Sequence, residues 1–110
     1  MANYHALTTV EQVDELVEQS RTEPLIIFKH STSCSISTLA KSRIDKALRD
    51  DSLGHPVHLL DLLRHRDVSN YVAERLHVRH ESPQAILLDG GEAHYVATHL
   101  DIDPGALVVA

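Results

Sequence analysis

Two short apolar runs, Leu25-Ile26-Ile27-Phe28 and Val57 to Leu62, flank a segment whose apolar residues recur at helical spacing, and few folds accommodate that order. A continuous run of strand-forming residues suits a parallel strand buried on both faces. Between the runs, Ile36, Leu39, Ala40, Ile44, Ala47 and Leu48 form one helical stripe. Asp50-Asp51-Ser52-Leu53-Gly54 closes it, with Gly54 free to adopt positive φ. Strand, helix and strand in this order predict a parallel crossover.

The flanking segments extend this unit. Thr8-Thr9-Val10-Glu11-Gln12 opens like a capped helix, and Val10, Val13, Leu16 and Val17 give that helix one apolar face. His65-Arg66-Asp67 leads into a third helix with Val68, Tyr71, Val72 and Leu76 inward. Ser82-Pro83 introduces a strand from Gln84 to Leu88, Asp89-Gly90-Gly91 makes a tight turn, and Glu92 to Thr98 returns antiparallel. Asp103-Pro104 starts a last helical turn or two. The order αβαβαββ with a short terminal helix predicts an α/β, thioredoxin-like fold. Its central four-stranded mixed sheet, a βαβ unit plus a β-hairpin, is flanked by helices and fills residues 1–110 as a single domain.

Composition narrows the function. A net charge of −6 argues against a nucleic-acid partner, and no Trp with one Phe leaves little to stack on bases. The longest unbroken apolar run is Ala106 to Ala110, far short of the roughly 20 residues a membrane helix needs. Met1-Ala2-Asn3-Tyr4-His5 lacks the basic-then-apolar pattern of a signal peptide, so a cytoplasmic protein is expected. With one cysteine, no intrachain disulfide and no four-thiolate zinc site can form.

That cysteine, Cys34, falls just after the first strand and at the start of the second helix. Unpaired backbone N–H groups and the helix dipole converge there and favour thiolate over thiol. A core cysteine would sit more naturally inside an apolar run, whereas six of the eight residues from Ser31 to Thr38 are Ser or Thr. Cys34-Ser35-Ile36-Ser37 is a Cys-x-x-Ser sequence with Ser37 where a dithiol oxidoreductase keeps its resolving cysteine. Ser37 either bonds the Cys34 sulfur or is an ordinary first-turn serine. His30, four residues before Cys34, either lends it positive charge or is a loop-surface histidine. Lys29 and Arg79 are placed to meet an anionic small thiol. A cis peptide at Pro83 would turn the chain beside the active site and free backbone for a substrate. His55 with His58, and His77 with His80, have metal-compatible gaps but no third ligand of clear spacing, so they are read as surface residues and no metal is expected.

Three blocks carry a more specific resemblance: Phe28 to Ser37, the stretch Leu59-Leu60-Asp61-Leu62-Leu63 with Val68 to Arg75, and Val78 to Ala85. Together they resemble the monothiol bacilliredoxins over most of the chain from Pro24 to Thr98. The resemblance implies a thioredoxin fold and a role in the bacillithiol redox system. The cysteine matching Cys34 would take bacillithiol off protein cysteines, with Ser37 as a second catalytic residue. Lys29, His30, Thr32, Ser33, Ser35, Ser82 and Pro83 would form the substrate site. It implies S-thiolated client proteins and a separate reductase as partners, and bacillithiol as co-substrate with no metal or organic cofactor. Two departures stand out: Ser35 replaces the family's usual proline, and the C-terminal helix is short. Alternatives are an iron–sulfur carrier of the monothiol glutaredoxin kind and a non-catalytic thioredoxin-like interaction domain. Ser35 and Ile36 stand where those carriers have a glycine and an aromatic.

Overall fold

Every residue of the strand Leu25–His30 is buried, because both faces of the sheet it centres are covered. The computed structural model describes residues 4–107; the start of the Met1–His5 stretch (1–3) and the end of the last apolar run (108–110) lie outside them. In chain order the elements are β1 (His5–Ala6), α1 (Val10–Gln19), β2 (Leu25–His30), α2 (Ser35–Arg49), β3 (Val57–Asp61), α3 (Arg66–Leu76), β4 (Gln84–Asp89) and β5 (Glu92–Thr98). Two 3-10 turns, His99–Asp101 and Pro104–Leu107, follow. The sheet has five strands in the order β1-β3-β2-β4-β5; β3 runs parallel to β1 and β2, and β4 antiparallel to β2 and β5.

The thioredoxin-type βαβ unit and hairpin are therefore present, but the sheet has five strands where four were expected. The added strand, β1, is two residues long and pairs His5 with His58 and Ala6 with Leu59. So short and exposed a strand leaves no alternation in the sequence; only its pairing defines it. The helical turn expected after Asp103 is present as the 3-10 turn Pro104–Leu107, and His99–Asp101 adds another that was not expected.

Strand alternation divides the core. Ile26 and Phe28 pack with Ala40, Ile44, Ala47 and Leu48 of α2, while Leu25 and Ile27 pack with Val13, Leu16 and Val17 of α1 and Val68, Val72 and Leu76 of α3. The buried face of α2 comprises Ser37, Ala40, Ile44, Ala47 and Leu48. Ile36 and Leu39, expected in that stripe, are instead 39% and 45% exposed. At 100° per residue the line through Ala40, Ile44 and Leu48 passes over Ser37, leaving Ile36 at its margin and Leu39 outside. α2 is tied down at both sides. Tyr4 Oη donates to Asp45, and Arg43 Nη1 donates to the carbonyls of Leu100 (3.0 Å) and Ile102 (3.3 Å).

α1 begins with the cap its sequence announces. Gln12 N–H donates to Thr9 Oγ1 at 3.2 Å, and Thr9 N–H donates back to Gln12 Oε1 at 3.1 Å. This reciprocal box satisfies two otherwise orphaned amides. Thr9→Ala is expected to lower unfolding stability by about 1 kcal/mol. Urea denaturation checks this, and an unchanged midpoint would contradict it.

Lys29, the next β2 residue on the α1/α3 face, is 0% exposed. Its ammonium donates to the Ser69 carbonyl at 3.1 Å and to His80 Nδ1 at 3.2 Å. Burial lowers its pKa from 10.5 to about 8. Between those values the unfolded chain holds the proton that the native state has released, so native stability rises with pH there; below pH 8 the burial penalty is fully present. Lys29→Met is therefore expected to be more stable than the native chain at pH 7, on the order of 1–3 kcal/mol. That advantage should shrink from pH 8 towards pH 10. Paired urea titrations across this range test it, and a constant or reversed difference would contradict it.

Candidate active site

β2 leaves the sheet at His30, bends through Ser31–Ser33 and enters α2 at Cys34. Cys34 is the N-cap residue, with extended backbone (φ −111°, ψ 123°). Its carbonyl accepts the Thr38 amide (3.0 Å) and the Thr38 hydroxyl (3.2 Å), and its own amide donates to the Ser31 carbonyl at 3.3 Å. The backbone is thus held on both sides, while the side chain makes no cap hydrogen bond and stays partly exposed. The first-turn amides have no intrahelical acceptor, and no acidic side chain in that turn competes for them. A sulfur here has electropositive surroundings and an open approach. Thr32, Ser33 and Ser35 are exposed around it.

Ser37 occupies the buried side of the same turn. Its Oγ accepts the Ser31 amide at 3.0 Å and lies 2.7 Å from His30 Nδ1. These bonds join the end of β2, the loop and the first turn of α2. His30 is buried too, so it is not a loop-surface histidine. Burial first, then Lys41, lowers its pKa below 6.5, so the ring is neutral at neutral pH and gives Cys34 no positive charge.

The antiparallel register pairs Lys29 with Gln84, which puts Pro83, the residue before β4, beside the exit of β2. The Ser82–Pro83 peptide is cis, and the Pro83 carbonyl accepts the His99 amide at 2.9 Å. On either side of Pro83, the buried Ser82 Oγ and Gln84 Oε1 have no hydrogen-bond partner among the described residues. Lys29 does not join this surface: its ammonium is enclosed against α3 and cannot meet an anion from solvent. Arg79 is exposed, with its Nε 3.7 Å from Glu81.

His80 and His58, read as surface residues, make structural contacts. His80 accepts from Lys29, and burial lowers its pKa, with Lys29 adding to the effect. His58 stacks on His5 with ring centroids 5.0 Å apart; burial and that neighbour lower its pKa to about 4.

Sequence reasoning missed exposed apolar side chains on α2, the helix that Cys34 caps. Ile36 and Leu39 share a helical face with Arg43, whose bond to the Leu100 carbonyl brings in a leucine that is 56% exposed. The signal was the azimuth of the α2 stripe: once Ser37 faces inward, Ile36 and Leu39 must face outward.

The comparisons agree with this geometry. A solved protein with a thioredoxin fold, described as a candidate oxidoreductase, shares 30% identity with a TM-score of 0.82, over 94% of this chain and 89% of its own. Mitochondrial thioredoxin 3 from Saccharomyces cerevisiae superposes with a TM-score of 0.70 at 18% identity, over 94% and 89% of the two chains. Thioredoxin from Malassezia sympodialis gives 0.72 at 15% identity, over 97% and 86%. These two likenesses show the fold alone. The family described as Monothiol bacilliredoxin BrxC matches residues 5–107. The fold is that of thioredoxin, the chemistry is thiol redox, and the chain belongs to the monothiol bacilliredoxin family.

Proposed function

We propose that the protein is a monothiol oxidoreductase that removes a low-molecular-weight thiol, bacillithiol, from mixed disulfides on client protein cysteines. The observation that carries this reading is the placement of the chain's one cysteine at the N-cap of α2, partly exposed and with its side chain free of cap bonds. The Cys34 thiolate attacks the bacillithiol sulfur of the client's mixed disulfide. That S–S bond breaks, the client cysteine leaves as thiolate, and a new disulfide joins bacillithiol to Cys34. No second cysteine is available to attack this adduct, and the Ser37 hydroxyl is no substitute, so an outside thiol or a separate reductase regenerates Cys34. The small thiol is a co-substrate, and the reaction calls for neither metal nor organic cofactor.

Two surroundings support a protein client. The exposed apolar side chains Ile36 and Leu39 in the first two turns of α2, with Leu100 held near that helix by Arg43, suit a protein surface better than a small hydrophilic thiol alone. Ser35 gives its position an amide that the family's usual proline would lack, adding a donor next to the sulfur. Thr32, Ser33 and Ser35 border the thiol, and the backbone before Pro83 borders the client. We place the reaction in the cytoplasm. No helix among the described residues is long and apolar enough to cross a membrane.

The test is a single-turnover mass experiment. Reduced protein is mixed with excess bacillithiolated client, with no other thiol present, and intact masses are followed. One equivalent of client should be released with one bacillithiol added to Cys34, and Cys34→Ser should release none. Turnover that continues without added thiol would contradict the monothiol mechanism. A brown protein with visible absorption after anaerobic purification would favour an iron–sulfur carrier instead.

A further inference from the structure

We infer that His30 is a positioning residue whose Nδ1 holds the hydroxyl proton of Ser37 and so keeps that hydroxyl from donating to Cys34. Ser37 is fully buried, and a buried hydroxyl needs an acceptor for its proton. Its oxygen already accepts the Ser31 amide at 3.0 Å, so the proton must point elsewhere. The acceptor in reach is His30 Nδ1 at 2.7 Å. This assigns the ring: Nδ1 is unprotonated, and the imidazole proton is on Nε2. The charged groups that act on the ring are Lys41 and Asp45 of α2 and Asp61 at the end of β3. With burial outweighing them, the ring stays neutral and remains an acceptor at neutral pH.

The consequence lies at the sulfur. Cys34 is the N-cap and Ser37 is the third residue of the helix, the spacing at which the two sulfurs of a Cys-x-x-Cys pair come close enough to join in a disulfide. If His30 released the hydroxyl, the Cys34 sulfur would be the neighbour best placed to receive it. With His30 in place, Ser37 acts as a strut. It links the end of β2, the Ser31 amide and the first turn of α2, and the thiolate is left to the backbone amides and the incoming disulfide. The serine of the Cys-x-x-Ser sequence thus works on the loop, and through it on where the sulfur stands. This inference needs Cys34 only as a titrating thiol. Neither readout below uses bacillithiol or a client, so failure of the proposed reaction and failure of this assignment are separable.

The first test leaves the native protein unchanged. Long-range proton–nitrogen NMR of the reduced chain at pH 7 should find His30 with a proton on Nε2 and a bare, hydrogen-bonded Nδ1. A proton on Nδ1 would overturn the assignment, because that ring could only donate to Ser37. The second test compares rate–pH profiles for iodoacetamide alkylation of Cys34 in four chains: native, His30→Phe, His30→Asn, and His30→Phe with Ser37→Ala. Phenylalanine removes the acceptor while keeping an aromatic ring beside Phe28. The freed hydroxyl should then bond the thiolate, move the profile to lower pH and raise the rate below its midpoint about three- to tenfold. Asparagine, which offers an oxygen acceptor near the Nδ1 position, should restore the native profile. The double variant should lose the acceleration. An unchanged profile in His30→Phe, or an equal acceleration in the double variant, would overturn the proposal. Should His30→Phe not fold, the NMR result decides alone.

Discussion

In β2 successive side chains point to opposite faces of the sheet, and a helix layer covers each face. That constraint decides what Cys34 rests on. Ile26 and Phe28 go to α2, Leu25 and Ile27 to α1 and α3, and the alternation continues past the apolar run. Lys29 therefore goes to α3, where the Ser69 carbonyl and, past the helix end, His80 accept its hydrogen bonds, and His30 goes to α2, where Ser37 meets it. A slip of one residue in β2 would exchange the two and leave a cation under the reactive turn.

The loop that carries Cys34 is short, and each part of it is anchored. Ser31 is tied to Ser37, Cys34 N–H to Ser31, and Cys34 C=O to Thr38. The sulfur makes no cap hydrogen bond at the helix start. Rigid backbone around a free nucleophile suits a reaction whose partner is a sulfur atom, since in-line attack on a disulfide depends on the placement of one atom. On the outside of the same turn, Ile36 and Leu39 remain exposed instead of joining the core. The helix thus turns a polar residue inward and apolar ones outward beside its reactive end. This local reversal of the usual pattern is typical of functional surface.

Much of this was legible in the sequence. The apolar runs, the Thr9–Gln12 cap, the glycine turn and the position of Cys34 at a helix start all follow from local chemistry that the fold does not override. β1 was not legible, because two exposed residues carry no periodicity and become a strand only by pairing with β3. The inward turn of Ser37 required the azimuth of α2 to within a fraction of a turn, and a stripe drawn through Ile36 and Leu39 put it on the wrong side. Lys29 and His30 looked like loop residues that greet a ligand, because their burial depends on α3 and α2 closing over the end of β2. In each miss the deciding fact was a tertiary contact between elements distant in sequence.

In the proposed reaction Cys34 carries a small thiol as the intermediate. Intact-mass and peptide analysis of the protein isolated from its own host, acid-quenched after oxidant exposure, tests this most directly. A fraction of the chain should carry one bacillithiol, released by reductant and mapped to the peptide containing Cys34. A chain that stays unmodified while other cellular proteins are bacillithiolated, or that carries a different thiol, would contradict it.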